Sequence, residues 1–482
     1  MSNTEELTPK KFIKNLAGFS AASWISAAIS FFATPVFTRI YLPEEAGKIN
    51  LFMTFAVFFQ TVGLLGLDQA FMRYYNESLD GITKNNMLAV CLKINYITAG
   101  FSAAAVLIFH SFFSVQISGY SNLIVPVCLS SVIFSGVTLR MTSISSRMQN
   151  SLLLYTIQMT AAVLTEKVLY LLIAFFRADH LHAVIAVTAG YLAAAVIFLF
   201  VSKRRKLLET AKKVPFSSVA SLLKLSVPYV PVLLLSWLNN SIPLYSLKRY
   251  ADYSSIGIYT SAVTISNILT IIQTGFGAYW DPLVYRHYSD ESKKKMLESI
   301  QRYAVFAVFA LGLSVIGFQD IIYLLVGERF RAGKQFFALL IFMPLCSMVS
   351  QTTGIGIMIS KKSYLNNYSF IFSAASNLIL SEILIPRFGI AGAACAAACA
   401  SVVMMSIRTY LGRRFYRISS SISFIVRSFL IFSAAASAAF FLAGESALLG
   451  AVCLSSLVLL CMVFRSDLKK AFNFIRSQLK KA

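Results

Sequence analysis

A chain of 482 residues that is 57% hydrophobic and only 13% charged is too apolar for a soluble protein, where charged residues make up about a quarter. Its formal charge of +23 suggests nucleic acid, yet the Lys and Arg sit in short joints between apolar runs, with no fold to present them, so no nucleic-acid partner is expected. All seven cysteines fall in apolar runs and His180 and His182 are the one close histidine pair, so neither a metal nor any other cofactor is expected.

In chain order, a polar leader is followed by fourteen apolar stretches, roughly 16–38, 49–67, 87–109, 122–138, 152–176, 181–201, 225–247, 256–279, 303–325, 335–359, 364–385, 389–407, 425–443 and 446–464. Each approaches the roughly 20 apolar residues that a bilayer core requires. The first has no small-residue cleavage site after it and is expected to stay in the mature protein. The reading is an all-α polytopic membrane protein of about fourteen transmembrane helices.

Most of the 43 Lys and Arg fall in alternate joints, on the side of the N-terminus. The positive-inside rule then places both termini in the cytoplasm. The basic runs Lys203–Lys206, Lys293–Lys295 and Lys469–Lys470 read as topology signals that touch anionic headgroups of membrane lipids.

A shift of 210 residues carries Arg39 onto Arg249 and Gly47 onto Gly257, and the joint near Asp179 onto that near Gly389. Spans one to six thus correspond to spans seven to twelve. Six is even, so the two halves share an orientation, as in many transporters. The expected organisation is an N-terminal lobe at 1–201, a basic cytoplasmic linker at 202–224, a pseudo-symmetric C-terminal lobe at 225–411, and two extra spans with a basic cytoplasmic tail at 412–482.

The motifs are LPEEAG before span two, GLDQAFMRYY at its end, IGIY opening span eight, LLVGERFRAG before span ten and FGIAGAA between spans eleven and twelve. Together, in this order and over nearly the whole chain, they resemble the Wzx-type oligosaccharide flippases, the polysaccharide-exporter branch of a superfamily that also contains multidrug exporters. The resemblance implies transfer of a lipid-linked oligosaccharide or polysaccharide precursor across the bacterial cytoplasmic membrane by alternating access, with glycan-assembly enzymes as further partners. Where many members carry an acid in span seven, this chain has Asn239–Asn240, which removes the group on which ion coupling there would rest.

Charges inside a bilayer cost about 2.5–3.5 kcal/mol each on insertion scales, so each needs a reason. Glu166 and Lys167, in mid-span five, point about 100° apart on a regular helix and are expected to face a cavity or other helices rather than only each other. Glu382 is expected to pair with Arg387. Arg39 and Arg249, at equivalent helix ends, are candidates to receive a phosphate, or to close an outer gate with Glu44, Glu45 or Asp252; the plainer reading is interfacial anchoring. Asp68 with Arg73, and Asp281 with Arg286, are candidate gate pairs, against ordinary helix-end solvation. Asn239 and Asn240, in a helix interrupted by Pro228, Pro231 and Pro243, are candidate sugar contacts, because amides both donate and accept; such residues also bind helix to helix.

A multidrug or cation antiporter is the alternative, and a membrane polymerase or ligase a remoter one, disfavoured by the short external joints. GERFRAGKQ fails as a phosphate loop, its glycines one residue too far apart and Gln335 in place of Ser or Thr. Energy is therefore expected from a proton or sodium gradient, from the substrate's own gradient or from a partner. Reporter fusions after Lys206 and Lys481 should give cytoplasmic signals and one near Asp252 should not; an external C-terminus would make the span count odd and end the two-lobe reading.

Overall fold

The computed structural model of the protein describes residues 9–469 apart from 78, 210–213, 361, 363, 420 and 443, and also residue 473; side chains are described from residue 23, Ala278 excepted. Most of the expected C-terminal tail and part of the expected linker lie outside the described residues. By contacts the chain forms two compact units, Met1–Leu244 with Asp252–Gly257, and Tyr245–Ala251 with Ile258–Ala482.

The first unit starts with α1 (Pro9–Ile40), α2 (Pro43–Leu64), α3 (Leu67–Tyr74), α4 (Met87–Ile108), α5 (His110–Ser118) and α6 (Ile124–Met148). It continues with α7 (Leu152–Lys167), α8 (Leu169–Ala174), α9 (His180–Arg204), α10 (Phe216–Ser226) and most of α11 (Val230–Tyr250). Within this unit the most enclosed of the long apolar helices is α6, which packs against α2, α4 and α9. Its crossing with α2 is close because Gly136 leaves room for the Gln60 amide, which donates to the Val132 carbonyl at 3.1 Å. Helix α2 stops where Leu65 and Gly66 take φ of 48° and 69°. A Cβ on Gly66 would collide with the Ser226 carbonyl, so the turn serves both its backbone angle and the seating of α10 on α3.

After the short α12 (Tyr253–Ser266), the second unit contains α13 (Ile268–His287), α14 (Glu291–Gly317), α15 (Gln319–Leu325), α16 (Lys334–Leu340), α17 (Phe342–Thr353) and α18 (Ile355–Ile359). It ends with α19 (Leu365–Phe415), α20 (Ser423–Phe441) and α21 (Ser446–Val463). Helices α14, α20 and α21 pack together. Arg302 bridges Asp467 at 2.7 Å with its guanidinium over the rings of Phe424 and Phe464.

Although α19 is continuous over 51 residues, it is two limbs. Gly389 has φ 54° and ψ −127°, a conformation open to glycine and costly for other residues. The Ser373 hydroxyl donates to the Ala400 carbonyl at 2.9 Å. In a straight helix those residues would stand about 40 Å apart. The reversal falls at the expected joint between spans eleven and twelve.

Eleven helices among the described residues are long and apolar enough to cross a membrane, or twelve if the bent pair α12 and α13 is one span. The difference from the expected fourteen has two sources: the α19 hairpin counts once, and α1, 32 residues long, lies outside that set. Regular structure among the described residues is helical, with one isolated bridge between Leu79 and Ile82. Large apolar side chains such as Phe101, Ile108, Leu153 and Phe176 are exposed, which is stable where lipid rather than water is the solvent.

The hairpin gives a test. Gly389→Val forces a branched side chain into a glycine conformation and should cost about 1–3 kcal/mol, read as a lower melting temperature in detergent. Gly100→Ala, within α4 and with open space around its Cβ, should not lower it. Equal melting of Gly389→Val and the parent protein would show that the turn does not need glycine.

Candidate functional site

In the first unit, a cavity of about 480 Å³ is lined by one face of α2 and one face of α11, with Arg140 of α6 and Asp68 of α3. From α2 come Asn50, Thr54 and Thr61, and from α11 Ser236, Trp237 and Asn240. The walls are therefore neutral donors and acceptors on an apolar frame, with one acid and one base. Trp237 fixes α11 onto α2, its indole N–H donating to the Thr54 carbonyl at 3.0 Å and its ring lying 4.6 Å from that of Phe58. Thr54 and Thr61 return their hydroxyls to carbonyls four residues back in α2, which leaves lone pairs for a ligand.

The acid is not paired as the sequence reading expected. Asp68 is buried and accepts from Arg140 at 3.1 Å, while Arg73 bridges Glu77 at 2.9 Å. Asp68 lies at the start of α3 beyond the α2 break, facing α6, so the partner is 72 residues away rather than five. Arg140 is nearly half exposed and carries the cavity's positive charge. In the second unit, Asp281 is close to the Gln351 amide and the Arg408 guanidinium, and Arg286 has an interaction of its own.

Of the two asparagines, Asn240 lines the cavity and hydrogen-bonds the Ser236 carbonyl at 3.1 Å, whereas Asn239 is not among the lining residues. Glu166 and Lys167 are also outside this cavity, and they do pair with each other, at 2.6 Å. Both residues lie in the last turn of α7, where their backbone positions keep the helical spacing, and two long side chains bend toward each other to span it.

Arg39 and Arg249 occupy the last turns of α1 and α11. Arg249 lies 3.5 Å from Glu382, which also accepts from the Tyr250 hydroxyl at 2.5 Å. Glu382 is thus engaged by Arg249 rather than by Arg387. The acids proposed to close a gate with the two arginines have other partners. Glu44 and Glu45 hold Lys48 at 2.7 and 3.1 Å, and Asp252 accepts from the Ser255 amide at 2.7 Å.

One turn before Asn50 the first unit closes on itself. A Cβ on Gly47 would collide with the Tyr253 carbonyl, and one on Gly257 with the Pro43 carbonyl. The contact is reciprocal under the 210-residue shift. Beside it, the Lys48 ammonium sits 5.5 Å above the Tyr253 ring. The buried His180 places its amide 2.5 Å and its ring Nδ1 2.6 Å from one Glu45 oxygen. At the adjoining joint, burial opposes ionisation of Asp179, but the amide and ring of His182 outweigh it and hold the carboxyl below the usual carboxylate range.

Arg140, Trp237 and the Glu45–His180 pair are absent from the sequence-derived candidates. A lone tryptophan in an apolar span, with an N–H that requires an acceptor, was the available signal for Trp237. Among the described residues no group of three His, Cys, Asp or Glu side chains is placed to hold a metal.

The profile of the polysaccharide biosynthesis protein family matches residues 12–284, more than half of the chain, and the protein belongs to that family. Among solved structures it is similar to the lipid II flippase MurJ in an inward closed conformation, with 15% identity, 93% of this chain and 99% of that one covered, and a TM-score of 0.69. It is also similar to a MATE transporter of Vibrio cholerae (13% identity, 84% and 97% covered, TM-score 0.57). A third likeness is a MOP superfamily transporter from Pyrococcus furiosus (15% identity, 83% and 95% covered, TM-score 0.53). The fold is that of the MurJ and MATE transporters, which makes this chain a multi-pass membrane protein. A search of proteins of curated function gives no significant match.

The buried pair is tested by a double-mutant cycle. Arg140→Met leaves the Asp68 carboxylate buried with the Gln69 amide alone, so it should destabilise more than Asp68→Asn. The double variant should cost less than the sum by about 0.5–3 kcal/mol. Additive losses would mean that the two residues do not interact energetically.

Proposed function

We propose that the protein is a flippase that moves a lipid-linked oligosaccharide or polysaccharide precursor from the cytoplasmic to the outer leaflet, and that the α2–α11 cavity receives the glycan's first sugars. The observation that carries this reading is the cavity wall: hydroxyls, amides and an indole at membrane depth, in a chain of the polysaccharide biosynthesis protein family. Such groups would be costly against lipid tails alone and suit a sugar, which presents both donors and acceptors. Arg140, half exposed at the Asp68 end, is suited to the phosphate that joins sugar to lipid, since its planar fork matches phosphate oxygens and keeps its charge.

The Asp68–Arg140 end lies where the charge pattern places the cytoplasm, and the Gly47–Gly257 contact lies toward the outside. Alternating access would part that glycine contact as the Asp68–Arg140 end closes. In this scheme Arg39 meets the phosphate on exit. A cation antiporter fits the cavity less well, because its one acid among the described lining residues already holds an arginine. No covalent step is required of any residue, and the drive is an ion gradient, the substrate's own gradient or a partner.

The test is flux of a lipid-linked glycan in reconstituted vesicles, with insertion and melting checked separately. Each lost hydrogen bond to a sugar is worth about 1 kcal/mol; the Trp237 N–H is already given to Thr54, so the loss at Asn240 alone predicts that a variant carrying Trp237→Ala and Asn240→Ala transports at least about fivefold more slowly. Arg140→Lys should also be impaired, since an ammonium lacks the fork. Undiminished flux in a folded Trp237→Ala, Asn240→Ala variant would remove the cavity from the pathway.

A further inference from the structure

A second cavity, of about 640 Å³, lies wholly within the second unit, between the end of α19 and the start of α20. Three guanidinium-bearing residues, Arg413, Arg414 and Arg417, line it, and among the described residues no acidic one does. Among the described residues, neither Arg414 nor Arg417 has a carboxylate within ion-pair distance, and both are exposed. A helix C-terminus favours cations, and cytoplasmic joints collect them. Either rule accounts for arginines at this height. Neither explains why three of them converge on one hollow with an apolar side.

The hollow is built rather than loose. The Arg413 guanidinium donates to the Ser419 carbonyl at 2.9 Å, and Arg417 Nε donates to the Arg413 carbonyl at 3.2 Å. Ser419 in turn donates to Glu298 at 2.8 Å, which anchors the 416–422 turn to α14. The helix end beneath is held close to α18, because a Cβ on Gly356 would collide with the Gly412 carbonyl. The opposite wall is apolar, with Ile422 and Val426 exposed and Ile425 buried.

A row of cations beside a greasy wall at the bilayer edge matches one ligand chemistry, a phosphate headgroup with an acyl chain. We infer that this cavity binds an anionic phospholipid, its phosphate held by Arg413, Arg414 and Arg417 and its chain lying along Ile422, Ile425 and Val426. The inference does not depend on what the protein transports. It uses a different unit and different residues from the sugar cavity.

The test uses the purified full chain in detergent, melted with added phosphatidylglycerol, phosphatidylcholine or inorganic phosphate. Phosphatidylglycerol should raise the melting temperature more than phosphatidylcholine does, and inorganic phosphate should not reproduce that shift. The Arg414→Gln, Arg417→Gln variant leaves the Arg413–Ser419 anchor in place and should lose at least half of the phosphatidylglycerol shift. A full shift in that variant overturns the site. An equal shift with inorganic phosphate makes it a free-phosphate site and overturns the lipid assignment. Displacement of phosphatidylglycerol by stoichiometric polyprenyl diphosphate would give the site to the substrate's carrier instead. Should the double variant not fold, Val426→Trp serves in an otherwise intact chain. Its added fluorescence should be quenched more by brominated phosphatidylglycerol than by brominated phosphatidylcholine at equal mole fraction, and equal quenching contradicts the proposal.

Discussion

Two glycines 210 residues apart hold a close backbone approach in the first unit. Gly47 and Gly257 each rest against a carbonyl at the start of the other's helix, at distances that any side chain would prevent. Lipid tails are as apolar as leucine, so helices in a membrane associate through close packing and hydrogen bonding rather than burial from water. A glycine pair gives the closest packing available, with Cα–H groups directed at carbonyl oxygens. Much of this end of α2 is organised around it. Lys48 lies over Tyr253 and is held by Glu44 and Glu45, and Glu45 is held by His180 of α9.

From that contact inward, the same helix changes character. The face of α2 that starts at Gly47 continues as Asn50, Thr54 and Thr61 before the helix breaks at Leu65 and Gly66. Trp237 spans the space from α11 with one hydrogen bond and one ring contact, which holds two polar faces apart around a hollow rather than letting them collapse. The Asp68–Arg140 pair closes the account of charge: the buried acid makes it tolerable to keep a cation at this depth, and the exposed half of Arg140 remains free to act.

The fold was largely legible, because its signals are local. Apolar length marked the helices, and the shift of Arg39 onto Arg249 anticipated that α1 and α11 would end, and α2 and α12 begin, at positions 210 apart. The joint read near Gly389 from the repeat is the turn inside α19. Partner choice was not legible. Asp68 passes over Arg73 for Arg140, and Glu382 takes Arg249 across 133 residues, because tertiary packing decides which charge comes within reach. The Glu166–Lys167 pair was misjudged for the opposite reason: both lie in α7, and the angle between neighbouring helix positions was taken to separate two side chains long enough to meet.

The central claim is that a carried glycan occupies the α2–α11 cavity, which opens to each side of the membrane in turn. Thr61 lines that cavity between Asn50 and Asp68 and supports a direct measurement. A single cysteine at Thr61, in a chain whose seven native cysteines have been replaced, can be treated with a membrane-impermeant thiol reagent in right-side-out and inverted vesicles. The account predicts labelling from both faces and protection when a lipid-linked glycan is added. Labelling from one face alone, unchanged by the glycan, would contradict it.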